Sequence, residues 1–149
     1  MTLDANELNL LRSAIGLAAS ARAAGDPPFG SLLADASGRV IAEERNTTLS
    51  DDDITAHPEL KLARWAASNL RRRDASLVTM FTSCEPCGMC AGAISRSGIG
   101  RVVFALSGAQ LAEVKPENAP SPLTPWTVDG PHLHPESTVP LIGYYSAAE

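Results

Sequence analysis

Apolar residues at Leu8, Leu11, Ile15 and Ala18 recur at helical spacing and predict a first helix over residues 5–24. Asp4 fits its N-cap, and Gly25 ahead of Asp26-Pro27-Pro28 its stop. The runs Phe29 to Ala34 and Arg39 to Arg45 flank the turn residues Asp35-Ala36-Ser37-Gly38 and read as an antiparallel hairpin. A polar loop from Thr47 to Asp53 leads to a second helix that starts at His57, because proline at position 58 is tolerated only in a first helical turn. Leu77 to Thr82 and Arg101 to Leu106 are β-favouring runs on either side of a helix-compatible segment, Cys87 to Ser97. Strand, helix, strand predicts a parallel pair with a right-handed crossover. Seven prolines between 116 and 140 forbid a long helix and predict an extended tail, about 116–149, of a kind that can cap a pocket. The rest of the chain has no repeat and reads as one domain over 1–149.

Composition narrows this to a globular domain. A chain of 149 residues, 44% hydrophobic and 19% charged, has a core available without staples. It contains no apolar run long enough for a membrane span. The net charge of -5 and a pI near 5.1 argue against a nucleic-acid partner whose affinity comes from neutralised phosphates. The one basic run, Arg71-Arg72-Arg73, reads as a solvated helix end. An odd cysteine count and a start lacking a signal-peptide pattern point to a reducing cytoplasm.

The chemistry concentrates in His57-Pro58-Glu59 and Pro86-Cys87-Gly88-Met89-Cys90. The predicted elements put Cys87 and Cys90 on one face of a helix's first turn, just past the carboxyl end of a strand, where the helix dipole favours thiolates. A C-x-x-C alone also suits a redox pair, but His57 and Glu59 tip the reading to metal. One His and two Cys leave zinc one ligand short of a closed tetrahedron, the catalytic pattern. A structural site closed by His132 or His134 is the alternative. The spacing places the metal between two helix N-termini in a three-layer α/β/α arrangement. Cys84 reads as a small hydrophobe at a strand end.

An H-x-E preceding P-C-x-x-C is the signature of zinc deaminases. Together with Pro28-Phe29-Gly30, Asn46 and Ile99-Gly100-Arg101-Val102-Val103-Phe104, it makes residues from about 5 to 107 resemble the cytidine deaminase-like superfamily, in the branch of guanine, cytosine and tRNA adenosine deaminases. The resemblance implies a three-layer α/β/α fold with a mixed central sheet, Zn2+ held by His57, Cys87 and Cys90, and Glu59 as general acid/base. It implies a pocket contacted by Phe29 and by the Asn46 amide, which can both donate and accept. Tail residues Trp126, His132, His134, Tyr144 and Tyr145 lie where relatives cap the substrate, and relatives are at least homodimers. Pro58 departs from the pattern: relatives carry Ala or Gly there and use its N–H toward the substrate ring, which proline cannot do.

The implied function is hydrolytic deamination of a small aminated heterocycle, a free nucleobase, nucleoside or related ring such as guanine or cytosine. A tRNA adenosine deaminase is the alternative that Ile99 to Phe104 favours and the acidic charge opposes. A noncatalytic zinc-stabilised binding protein is a third reading, which the retained Glu59 argues against.

Overall fold

The computed structural model describes residues 2–145. The chain divides into two compact units, residues 1–116 and 117–149. In the first, α1 (Ala5–Ala23) is followed by the strands β1 (Gly30–Ala34) and β2 (Val40–Arg45). Next come α2 (Pro58–Asn69), the short α3 (Arg72–Ala75), β3 (Thr79–Cys84), α4 (Gly88–Ser97), β4 (Arg101–Leu106) and α5 (Gly108–Val114). The strands form one sheet in the order β2-β1-β3-β4. Its two left-hand pairings are antiparallel and β3 with β4 is parallel, so the sheet is mixed as expected. The second unit holds α6 (His134–Thr138) and a 3-10 turn at Val139–Leu141. No helix among the described residues is long and apolar enough to cross a membrane.

Strand alternation divides the core into two layers. Leu32 and Phe81, cross-strand partners, point to one face and cluster with Leu10 of α1 and with Val103. Leu33 and Met80, the next pair, point to the other face and cluster with Leu62, Ala63 and Ala66 of α2 and Ile94 of α4. The sheet is thus sandwiched between α1 and the α2–α4 pair.

The first helix begins as predicted, with Asp4 and Glu7 in a reciprocal capping box. Its buried stripe differs from the expected one. Leu10, Ala14, Ala18 and Ala21 are covered, whereas Leu8 and Ile15 are 40% and 48% exposed. The cause is the close approach of β1: a Cβ added to Gly30 would stand 2.5 Å from Ala18 N and Leu17 Cβ and 2.6 Å from Ala14 O. Ala14 and Ala18 face the strand at Gly30 because this close approach leaves no room there for larger side chains. Another difference concerns the arginine run: α2 stops at Asn69, so Arg72 and Arg73 lie in the separate helix α3, where they are exposed.

Gly30→Ala should therefore lower stability by about 1–3 kcal/mol, since backbone atoms of α1 would have to move. Gly16→Ala, inside α1 with open space around its Cβ, should instead stabilise by about 0.5–1 kcal/mol. Urea unfolding midpoints with unchanged m-values would check the opposite signs.

Candidate metal centre

Two helix starts meet at the carboxyl end of β3. His57 is the N-cap of α2, with Pro58 at the first helical position as the sequence predicts. Cys87 is the N-cap of α4, and Cys90 lies three residues on, inside its first turn. The β3–α4 junction is braced by Glu85, whose N–H donates to the Leu106 carbonyl at 2.8 Å and whose Oε2 accepts from Gly108 N at 2.7 Å.

Among the described residues, His57, Cys87 and Cys90 form a group whose ligand atoms all lie within 4.8 Å of one another. His57 Nδ1 is 3.7 Å from Cys87 Sγ and 3.5 Å from Cys90 Sγ. Zinc bonded tetrahedrally at ordinary Zn–S and Zn–N lengths requires an S···N separation of about 3.6 Å. The donor set therefore fits zinc in both type and spacing. Burial, followed by the charge of Glu59, pushes the Cys90 thiol up, so this thiol stays protonated without a cation beside it. A dication at this position reverses that balance and binds the thiolate. Cys84 behaves as the small buried hydrophobe expected, its thiol likewise pushed up by burial and then by Glu59.

Glu59 is 5% exposed at the second position of α2. Its Oε1 accepts from the Thr82 hydroxyl at 2.8 Å, and Thr82 Oγ1 accepts from the Ser31 hydroxyl at 2.7 Å. Neither hydroxyl was singled out from the sequence. Both sit at strand positions that read as ordinary core until the register of β1 against β3 is known.

Asn46 is buried, and its N–H donates to the Phe29 carbonyl at 2.9 Å, extending the β1–β2 pairing. The amide does not keep both of its expected capacities. Oδ1 accepts from the Thr48 N–H and the Thr48 hydroxyl, each at 2.9 Å, and since the N–H can only donate, the oxygen must face it. Nδ2 is the part left for another molecule. Phe29 is half-buried just ahead of β1, and the Pro58 ring is fully buried.

Asp26 anchors the loop that follows Asn46, accepting from Leu49 N at 3.1 Å, Ser50 N at 2.9 Å and the Ser50 hydroxyl at 2.5 Å. The Ser50 hydroxyl and then the Ser50 amide hold its carboxyl below the usual range. A depressed carboxylate stabilises above its unfolded pKa of about 3.9 and loses that contribution as pH falls through the folded value, so the anchor persists through mild acid. Trp126, His132 and His134 belong to the second unit, where His132 Nε2 lies 2.9 Å from Asp129 Oδ1.

Residues 5–106 match the family described as the cytidine and deoxycytidylate deaminase zinc-binding region. The chain belongs to that family. It is similar to a probable cytosine deaminase of Schizosaccharomyces pombe, 33% identical over 96% of this chain and 94% of that one. A tRNA-specific adenosine deaminase of Haemophilus influenzae is 39% identical over 66% of this chain and 57% of that one. Among solved structures, the guanine deaminase of Bacillus subtilis superposes with a TM-score of 0.71 at 27% identity, covering 99% of this chain and 97% of that one. Another, in complex with 2,6-diaminopurine, has a TM-score of 0.63 at 27% identity over 83% of this chain and 68% of that one. The family and its solved relatives make this deaminase-family hydrolase zinc-dependent.

Purified protein should carry about one zinc per chain, and Cys87→Ala or His57→Ala should lose it, because each removes one of three protein ligands. Metal analysis after gel filtration reads this directly. Undiminished zinc in both variants would move the site elsewhere.

Proposed function

We propose that this protein removes the exocyclic amino group of a small aminated heterocycle by hydrolysis, releasing ammonia, with Glu59 as the proton carrier. The observation that carries the reading is the state of the Glu59 carboxylate. One oxygen is fixed by Thr82, and the other has no hydrogen-bond partner among the described residues. Among the described residues no sealed side-chain oxygen lacks a partner, so Oε2 retains access to the space outside. A carboxylate held in that way, two residues from a metal ligand, suits proton transfer better than structural support.

His57, Cys87 and Cys90 would hold zinc, whose Lewis acidity would bring the pKa of a water toward about 7. Glu59 Oε2 takes the proton that the attacking water sheds and returns one to the ring nitrogen beside the attacked carbon. A second proton, taken from the hydroxyl now on that carbon, passes to the amine as the C–N bond breaks, so the substrate amine and water become a ring carbonyl and ammonia. Asn46 meets the substrate through Nδ2 alone, which calls for an acceptor on the ring or its substituent. Pro58 contributes no donor, leaving the helix start less able to pair a second ring acceptor.

Free bases are favoured over tRNA because similarity to the cytosine and guanine deaminases runs nearly the length of both chains. The tRNA-specific relative has the higher identity but matches over a shorter stretch, and a net charge of -5 disfavours a polyanion. A reducing compartment and a homodimer complete the proposal, the first because the thiolates must stay reduced to bind metal, the second on family resemblance alone.

Ammonia release from guanine, cytosine, their nucleosides and an adenosine-bearing tRNA anticodon stem-loop tests the substrate class. Turnover confined to the stem-loop would replace the proposal with the tRNA reading. On a working substrate, Glu59→Gln should retain zinc and fold yet lose about 10²- to 10⁴-fold in kcat. Near-normal turnover would assign the proton transfers to another group.

A further inference from the structure

On the face of the sheet beneath α2, the cross-strand rows change character toward the metal end. Leu33 pairs with Met80, and two residues along the strands Ser31 pairs with Thr82. The stripe of α2 changes in the same direction: Ala66, Ala63 and Leu62 are apolar, and Glu59, one turn nearer the helix start, is charged. Polar row and charged position therefore coincide. All three side chains are buried, with Ser31 and Thr82 at 0% exposure.

The direction of the hydrogen bonds is fixed by chemistry. Thr82 Oγ1 gives its one proton to Glu59 Oε1, so the same oxygen can only accept from the Ser31 hydroxyl. Each strand is rigid at this point, since Ser31 and Thr82 are paired in the central β1–β3 ladder. The carboxylate is thus tied to the middle of the sheet rather than to a loop.

We infer that Thr82, supported by Ser31, is a positioning residue that holds the Glu59 carboxylate so that Oε2 serves the proton transfers. The inference rests on the reading of Glu59 as proton carrier. It does more than satisfy a buried acceptor: without the Thr82 hydroxyl the Glu59 side chain can rotate either oxygen outward, and misplacement on the order of 1 Å can cost about 100-fold in rate.

The test uses zinc-loaded full-length protein with guanine and cytosine as probes. Thr82→Val keeps the shape of the side chain and removes the donor. It should lower kcat about 10- to 100-fold, the range typical of residues that orient others in a site, with KM and zinc content within about threefold of the original. Thr82→Ser, which restores the hydroxyl, should recover kcat to within about threefold. Ser31→Ala should lower kcat by a smaller factor and add nothing on the Thr82→Val background, because it acts only through Thr82. Unchanged kcat in Thr82→Val, or failure of Thr82→Ser to rescue, would overturn the inference.

A substrate-free readout runs beside it. In protein labelled with 13C-glutamate, the Glu59 carboxyl resonance should shift and broaden in Thr82→Val and return in Thr82→Ser. An unmoved resonance would also overturn the inference. Should Thr82→Val fail to fold, Ser31→Ala decides alone: a reduced kcat at unchanged KM supports the relay, and an unchanged kcat defeats it. Glu59→Gln separates the two layers of the argument. If that variant is fully active, the proton-carrier reading fails. If it is inactive while Thr82→Val is normal, the positioning role fails and the proton carrier stands.

Discussion

Ligand atoms from two helices must come within one metal ion's reach, and the remainder of the first unit is arranged to satisfy that constraint. His57 at the N-cap of α2 and Cys87 at the N-cap of α4 can meet only if both helices lie on the same face of the sheet with their starts aligned. The parallel β3–β4 pair forces α4 across that face, and the shared apolar cluster of Leu33, Met80, Leu62, Ala66 and Ile94 fixes α2 beside it. Separations of 3.5 and 3.7 Å between the imidazole and the thiols are the outcome of this packing.

The electrostatics follow from the same placement. Both helices direct their N-termini, with their positive dipole ends, at a site containing two thiols and a carboxyl group, and the Leu60 amide of α2 hydrogen-bonds Cys90. Helix dipoles alone do not ionise Cys90, whose thiol burial and Glu59 push up. A bound dication supplies what the dipoles cannot, so metal affinity and thiol ionisation belong to one equilibrium. Glu59, 5% exposed, is buried with a partner: Thr82 donates to its Oε1 at 2.8 Å.

The metal ligands and Glu59 were legible in the sequence because their spacing is short and local: H-x-E at a helix start, C-x-x-C at another. The hairpin and the parallel crossover were legible for a similar reason, each being set by turn residues or by alternation of strand and helix patterns. Long-range pairing was not. The Ser31–Thr82 bond joins residues 51 apart, and nothing in either strand marks its hydroxyl as different from core until the register is known. The stripe of α1 failed in the same way: periodicity favoured Leu8 and Ile15, but the contact with Gly30 selected the alanine face. For Asn46 the sequence left both amide capacities open, because the Asx turn with Thr48 that consumes the oxygen is visible only in the fold.

On the proposed reading, with Glu59 as proton carrier and Asn46 as a substrate contact, reaction chemistry and substrate choice reside in different kinds of structure. The metal ligands and Glu59 sit on helix starts backed by the sheet, where rigidity holds them. Asn46 lies where β2 gives way to the loop 47–56, whose hold on the core is polar. That loop is anchored by Asp26 at Leu49 and Ser50, and by Lys61, whose ammonium reaches Thr47 and Glu44 at 2.9 Å each. A substitution in the loop can move the Nδ2 donor without disturbing the zinc ligands, whereas one in the Leu33–Met80 layer would shift both helices at once. A family with one reaction and several substrates is what such a division permits: selectivity can drift along the loop while the hydrolytic machinery, fixed by packing, stays in place.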